Sequence, residues 1–440
     1  MYRTDSLLEG QRERGGDPMV TFAELRGAKP QLWITAAEDL RKAGQQCDRV
    51  ENDIHNIGVQ PLTDAWDDHV GQLAVGVLKN IATKAETTSI LARAGAQPVD
   101  TLAYAVQTAQ TELNNAVSMA EAKGLKVDQA TGKVSLPQKL GRDDNPTAML
   151  LVMNQAQRLI DDAIEAATQA NALCASALQE ASGSAANPET TKGQAQEVQT
   201  RAAGKALEEI RDTLPDGLSP SQVRMWWNGL SPQEQFNLER AAPTELMNLD
   251  GIPDDARKRI DRPELGYSSA GTVDYAKRNW NNTKLDWEGL DNCTNFVSTS
   301  LRYGGGMPTK DSPFDPVNHG YGDGWSDGGW AGEHHAPPGV TNTPSWGASQ
   351  NNHDFFLSHG GTVVNDPSQV RPGDVVYWTT EATGDTHHAA VVTGVLPDGE
   401  IIYTQHSDGA TNYTVNGRLP EFAQAHGDQR VEVVQPKVTW

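Results

Sequence analysis

The chain has 440 residues, enough for about two to four structural units, and a formal net charge of -22 at pH 7. A charge of that sign and size argues against nucleic acid and against an anionic membrane surface as the main partner. The three cysteines, Cys47, Cys174 and Cys293, lie far apart and form no CxxC motif. The sequence therefore predicts neither a disulfide framework nor a cysteine metal site, and we expect no cofactor.

The N-terminal stretch and the hydropathy of the chain bear on its location. No run approaches the roughly 18 apolar residues of a membrane span, and no basic-then-apolar signal peptide opens the chain. We expect no membrane insertion. Residues 1–18 are charged and glycine-rich, which predicts a disordered lead-in. If the protein leaves the cell, we expect it to be cytoplasmic first and then exported without a classical signal peptide.

Residues 19–182 have the pattern of an all-α helical bundle. Apolar residues recur at helical spacing with no strand-like alternation. The pattern predicts one helix that breaks at residues 58–61, a second from Leu62 that includes Trp66, a third opened by Pro98, and a fourth from Pro146 to about residue 180. Residues 183–217 predict a small, polar hinge followed by a further helix.

The two helices joined near Trp66 resemble the WXG-type helical hairpins exported by type VII secretion systems. Asp67 and Asp68 stand where that family has x-Gly after the tryptophan, and its Tyr-x-x-x-Asp/Glu export signal does not follow the second helix. The resemblance implies docking to a secretion or injection apparatus. The alternative is that Trp66 is a core aromatic residue of the bundle.

Residues 218–265 predict a small unit of short helices. Ser219 and Ser231 each precede a proline, which is typical of a helix N-cap with proline at the first helical position. The sequences Leu-Ser-Pro at 230–232 and Leu-Asp-Gly-Ile-Pro at 249–253 resemble a segment that precedes catalytic domains in secreted actinobacterial proteins. We identify no catalytic chemistry in this unit.

The candidate nucleophile is Cys293. It follows Asp291 and Asn292 at the predicted start of a helix whose apolar stripe includes Phe296 and Leu301. The N-terminus of a helix favours a thiolate over a thiol, and the thiolate is the nucleophilic form. The alternative is that Cys293 is a small buried hydrophobic residue.

Residues downstream of Cys293 supply the partners that a cysteine nucleophile needs. A turn at 371–374 leads into a predicted strand, His388 begins a second strand, and Gln405 and His406 end a third. A base must take the proton of the thiol, and a third group must fix the tautomer of the base. His388 is the candidate base, although a lone histidine is more commonly a core or surface residue.

Four motifs, at residues 292–298, 372–376, 388–393 and 404–407, resemble in order the bacterial putative amidase domain family, which is papain-like and related to NlpC and CHAP domains. The resemblance predicts an α+β papain-like domain at residues 266–440. It implies Cys293 as nucleophile, His388 as base and His406 as the orienting residue, with Gln405 near it and Asp291 and Asn292 in support. The chain departs from the family pattern at Asn292 and His387, where acidic residues are usual.

Two further groups of residues are candidates for binding. The oxyanion of the reaction would be stabilised by the Cys293 backbone N–H and by Asn292 or Asn295, although Asn295 could instead hold a loop. The glycine-rich stretch 304–352 predicts an aromatic substrate groove with Trp325, Trp330 and Trp346, or equally a long loop anchored by its tryptophans. A metal site from His334 and His335 with His319 or Asp327 matches no standard spacing, so none is predicted.

The sequence therefore predicts a multi-domain protein with an all-α N-terminal region and a cysteine amidase or endopeptidase at its C-terminus. Its predicted substrate is an amide bond of bacterial peptidoglycan, and its predicted role is that of a delivered cell-wall hydrolase effector with an immunity protein as partner. One alternative is a protease or deamidase toxin that acts on protein. Another is a helical adaptor with a degenerate catalytic tail.

Overall fold

The computed structural model describes residues 19–138, 145–215, 217–285, 292–310, 324–327, 342–380, 384–406, 410–416 and 429–440. These residues form a helical N-terminal region and a C-terminal region that contains an antiparallel sheet. Asp291 and Trp330, with His319, His334 and His335, lie outside the described residues. None of the helices in the described ranges combines the length and apolar character that a membrane span requires.

The N-terminal region is built on long helices whose small and aliphatic residues pack into one core. Alanine dominates the buried positions of the helix Pro146–Ala186, which lets the helices approach closely. A short hairpin, β1 (Lys126–Val127) with β2 (Val134–Ser135), follows the longest helix. The helices are α1 (Phe22–Gly27), α2 (Pro30–Asp53), α3 (Gln60–Ala65), α4 (His69–Ala122), α5 (Pro146–Ala186) and α6 (Lys192–Asp212).

The predicted break at residues 58–61 is wrong. The chain stays helical from α2 through a π-helical turn (Ile54–Val59) into α3. The wider turn just before Pro61 accommodates a residue that lacks a backbone donor. The chain reverses at residues 66–68 instead, where Asp68 caps α4 by accepting hydrogen bonds from Val70 and Gly71.

Two other helical predictions also need correction. Pro98 does not open a helix but lies inside α4, a single helix of 54 residues. An interior proline costs about 3 kcal/mol, and the packing of the buried middle of α4 against α2, α5 and α6 outweighs that cost. Trp66 is not a core residue, since it is 42% exposed. Its indole bonds to Asp68, and its backbone carbonyl and ring lie so close to Gly71 that a side chain at that position would clash.

Four short helices connect the bundle to the sheet. Ser231 and Glu234 form a capping box at the second of them, as its sequence predicts. The apolar faces of the four helices pack with α6 and with Leu396 and Ile402 of the sheet region in one cluster. The four helices are α7 (Pro220–Gly229), α8 (Pro232–Ala241), α9 (Pro243–Asn248) and α10 (Asp254–Asp261).

The C-terminal region combines an antiparallel sheet with helices on its face. The helices are α11 (Ser269–Asn279), α12 (Cys293–Thr299), α13 (Pro344–Gly347) and α14 (Ser349–Ser358). The strands are β3 (Thr362–Val363), β4 (Val375–Thr380), β5 (Thr386–Val395), β6 (Ile401–Gln405), β7 (Ala410–Thr414) and β8 (Gln429–Gln435). Their order in the sheet is β3-β8-β4-β5-β6-β7.

Helix α12 packs on the centre of this sheet. Phe296, Val297 and Leu301 are fully buried in one cluster with Ala389 and Val391 of β5. A second cluster, which includes Val376 and Val392, fills the opposite face. This packing brings the start of α12 next to the start of β5.

Candidate active site

Buried polar contacts of Ser298 hold helix α12 in place. Ser298 donates a hydrogen bond to the Trp346 carbonyl at 2.9 Å and accepts from Trp325 Nε1 at 3.2 Å and Asn352 Nδ2 at 3.1 Å. All four residues are buried. Because a buried hydroxyl with three partners has little freedom to move, this cluster fixes the position of α12 and of the cysteine at its start.

Cys293 and His388 meet at the junction of α12 and β5. The imidazole is hydrogen-bonded to the thiol, and the backbone N–H of Ala389 also donates to the sulfur. Thr294 Oγ1 lies 3.6 Å from Sγ. Cys293 is 3% exposed and His388 is 1% exposed, so the pair is shielded from bulk water.

Burial alone would raise the pKa of the Cys293 thiol. The charge and the hydrogen bond of His388, with the contacts from Thr294 and Ala389, overcome that effect and lower the pKa to about 7. The other two cysteines differ, because burial raises the pKa of Cys174 to about 12 and also raises that of Cys47. Cys293 is thus the cysteine with substantial thiolate at neutral pH.

His388 is oriented by Gln405. The ring atom Nε2 lies 2.7 Å from Gln405 Oε1, which requires the neutral ring to carry its proton on Nε2 and leaves Nδ1 to face the thiol. The indole of Trp378, the neighbour of His388 across the β4–β5 pair, lies 5.1 Å from the imidazole between ring centroids. The sequence analysis did not identify Trp378 as a neighbour of the candidate base. Its position beside His388 follows from the register of β4 with β5.

The prediction that His406 orients the base needs correction. Val391 pairs with Thr404, and side chains alternate between the two faces of a sheet. His388 and Gln405 therefore share one face, while His406 lies on the other. There its ring stacks on Phe296 at 5.6 Å, and Nδ1 lies 2.6 Å from the Trp280 carbonyl. Gln405 occupies the place predicted for His406.

The structure distinguishes between the two asparagines that were predicted as oxyanion donors, Asn292 and Asn295. Asn295 Nδ2 donates to the Leu285 carbonyl at 3.1 Å, and its Oδ1 accepts from Trp346 Nε1 at 2.8 Å. Because its amide is engaged on both sides, Asn295 holds the loop rather than serving as an oxyanion donor. Asn292 is buried at the N-cap of α12, next to Cys293, so it remains the candidate donor.

Several other predicted site residues lie elsewhere. Trp325 and Trp346 are 0% and 1% exposed and pack in the core, so neither presents an exposed ring to a substrate. His387 Nδ1 lies 3.4 Å from Thr380 Oγ1. Burial and the adjacent His388 lower the pKa of His387. Asp327 contacts the Tyr303 hydroxyl. Within the part of the chain that the structure describes, no group of three or more His, Cys, Asp or Glu side chains could hold a metal ion.

Comparisons with known proteins agree with the class of chemistry that this geometry suggests. Residues 266–427 match the family model described as "Putative amidase domain". The match indicates an amidase-type hydrolase, a class that acts on C–N bonds, in the C-terminal region.

One relative is the uncharacterized protein YhbB of Bacillus subtilis (strain 168), which is 27% identical over 173 residues. That alignment covers 36% of this chain and 50% of the relative, so the chain spans about half of the relative's length. No solved structure matches the chain.

Proposed function

We propose that the C-terminal region is a papain-like cysteine amidohydrolase with Cys293 as nucleophile, His388 as general base and acid, and Gln405 as the residue that orients His388. The observation that carries the proposal is the continuous hydrogen-bonded series from the Cys293 thiol through His388 to Gln405. A thiol, a base in contact with it and a group that fixes the base are what cysteine acyl transfer requires.

The reaction follows from these positions. His388 takes the proton of Cys293, and the thiolate attacks the carbonyl carbon of the amide, so that a C–S bond forms and the electron pair of the C=O bond moves to oxygen. When the tetrahedral intermediate collapses, the C–N bond breaks and His388 donates its proton to the leaving amine. His388 then takes a proton from water, whose oxygen attacks the thioester and releases the acid and the thiolate.

The substrate class that we propose is the amide bonds of bacterial peptidoglycan. The support for it is the resemblance of the four sequence motifs to the bacterial putative amidase domain family and, through the expected relation of that family to NlpC and CHAP domains, to cell-wall chemistry. From the sequence we also propose a delivered effector role, with export by a route without a classical signal peptide and with an immunity protein as partner. Trp325 and Trp346 are buried, so these two residues give no support for glycan binding.

The test is digestion of purified peptidoglycan by the full-length chain, with the products identified by mass spectrometry. Cys293→Ala is compared with the wild type and with Cys47→Ala, a cysteine variant outside the site. We expect wild type and Cys47→Ala to release the same fragments with new amine and carboxyl ends, and Cys293→Ala to lose at least about 10³-fold in rate.

Denatured protein substrates, assayed in parallel, separate the substrate proposal from the chemistry. Cleavage of protein amides alone, lost in Cys293→Ala, would keep the mechanism and overturn peptidoglycan as the substrate. Undiminished hydrolysis by Cys293→Ala would overturn the mechanism.

A further inference from the structure

A cavity of about 770 Å³ lies between the helical bundle and α7. We call it the bundle cavity. Its other walls are the end of α6 and the adjoining face of α7, and two stripes at helical spacing form its sides: Ala109, Glu112 and Ala116 on α4, and Leu159, Asp162 and Ala166 on α5. Protein cores hold few voids larger than a water molecule, whereas ligand pockets are about 300–1,000 Å³. The bundle cavity therefore has the size of a small-molecule site.

The charged groups around the bundle cavity are mostly negative. Arg211 is the one cation in the described lining, and its Nε donates to Glu245 Oε1 of α9 at 2.8 Å. The C-terminal end of α6, which is the negative end of the helix dipole, also meets the cavity. Four carboxylates line it: those of Glu112, Asp162, Glu165 and Asp212. This distribution of charge favours a positively charged ligand.

Glu112 is the carboxylate that the fold holds in place. Trp226 Nε1 of α7 donates to Glu112 Oε1 at 2.6 Å, and Oε2 accepts no hydrogen bond from the residues that the structure describes. Burial raises the pKa of Glu112 to about 7, aided by the negative charges of Asp162 on α5 and Glu234 on α8 and opposed by the hydrogen bond from Trp226. A cation beside Oε2 would relieve the repulsion among these carboxylates.

Apolar side chains supply the rest of the lining. Trp226 lines the cavity beside Glu112, and Met225, which is 64% exposed, lies at its edge. The face of an indole attracts cations, and methionine adapts its shape to irregular apolar partners. Met119, Leu159 and Leu218 extend this apolar surface. A molecule that joins a cationic group to an apolar body matches both parts of the cavity.

We propose that the bundle cavity binds a small organic cation, an ammonium group on an apolar body, and that Glu112 pairs with the ammonium group. The apolar body then lies against Trp226 and the aliphatic side chains of α4, α5 and α7. This proposal is independent of the proposed function, because none of the lining residues belongs to the candidate active site.

Isothermal titration calorimetry of the full-length chain at pH 8 tests the proposal with three probes that share one apolar body. These are 4-phenylbutylamine, 4-phenylbutan-1-ol and 4-phenylbutanoate, which are cationic, neutral and anionic. We expect the amine to bind with a dissociation constant below about 1 mM, as its size allows. The alcohol should bind at least about tenfold more weakly, because it makes no charge-assisted contact with Glu112, and the anion should not bind.

Three variants locate the binding. Glu112→Gln keeps an acceptor oxygen for Trp226 and removes the charge, so we expect it to bind the amine at least about tenfold more weakly. Ala166→Phe places a ring in the cavity without a change of charge and should block the amine. The matched control is Glu121→Gln, at an exposed carboxylate of α4 outside the described lining, which should bind like the wild type. Circular dichroism and thermal unfolding show that each variant is folded.

The pH dependence identifies the group that pairs with the amine. An alkylammonium has a pKa of about 10, so it stays charged at pH 6 and at pH 8, while Glu112, with a pKa of about 7, becomes largely ionised between them. The wild type should bind the amine several-fold more tightly at pH 8 than at pH 6, and Glu112→Gln should show a smaller change. An amine that does not bind, or that binds no better than the alcohol, would overturn the proposal. Binding by Glu112→Gln as tight as by Glu121→Gln would overturn it as well.

Discussion

Replacement of Gln405 by alanine tests the assignment of the orienting residue. It removes the 2.7 Å hydrogen bond to His388 Nε2 and leaves the ring free to change tautomer or tilt. A buried hydrogen bond that loses one partner costs about 1–3 kcal/mol. Since about 1.4 kcal/mol is a tenfold change in rate, we expect kcat/KM to fall by about 5- to 150-fold. The pKa of Cys293 should rise above its value of about 7, because a less ordered imidazole stabilises the thiolate less.

Two further variants make this test specific. Gln405→Glu keeps an acceptor oxygen for His388, and the amide nitrogen that it loses has no partner among the described residues. Its carboxylate stabilises a protonated His388, so the acid limb of activity should move below pH 7. His406→Asn keeps a donor for the Trp280 carbonyl and should leave kcat/KM close to the wild-type value.

The assay is kcat/KM as a function of pH, together with the pH dependence of Cys293 alkylation. A loss of activity in His406→Asn, with Gln405→Ala close to wild type, would refute the reasoning from strand register. Thermal unfolding of each variant identifies a loss of activity that comes from a loss of fold.

Two other predictions follow from charges in the structure. The rate at which iodoacetamide alkylates Cys293 should have its midpoint near pH 7 and fall tenfold per pH unit below it. Cys174, with a pKa of about 12, should stay unmodified when each cysteine is followed by mass spectrometry. A midpoint near pH 9 for Cys293 would contradict its contact with His388. Arg262→Met leaves Asp374 buried without its 2.8 Å ion pair and should lower the free energy of unfolding by about 3–5 kcal/mol. Arg278→Met, at an exposed pair, should change it by less than about 1 kcal/mol in the same denaturant titration.

The sequence was sufficient to predict the two side chains that the structure brings into contact at the candidate active site. Cys293 and His388 stand at the starts of a helix and a strand, and both positions can be recognised from local patterns. The choice between Gln405 and His406 could not be made in that way. Adjacent residues of a strand point to opposite faces, and the register with β5 that decides between them is set by long-range pairing.

Long-range packing, which local sequence patterns do not show, also explains the wrong predictions elsewhere in the chain. Composition shows that residues 304–352 are rich in glycine and tryptophan, but burial of Trp325 and Trp346 depends on hydrogen-bond partners from α12, namely Ser298 and Asn295. In the bundle the helical type was predicted correctly from periodicity. Pro61 and Pro98 were given too much weight as helix breaks, because local propensity is weaker than tertiary packing.

The packing between the helical region and the sheet region bears on the stability of the candidate active site. Leu396 and Ile402 of the sheet region are buried in one cluster with Leu207 of α6 and Leu246 of α9. Arg41 of α2 also bonds to Asp398 at 3.1 Å. Removal of the helices would expose these apolar side chains of the β5–β6 hairpin, and β6 carries Gln405 at its end. The helical region therefore supports the strand that orients His388, which is why each experiment above uses the full-length chain.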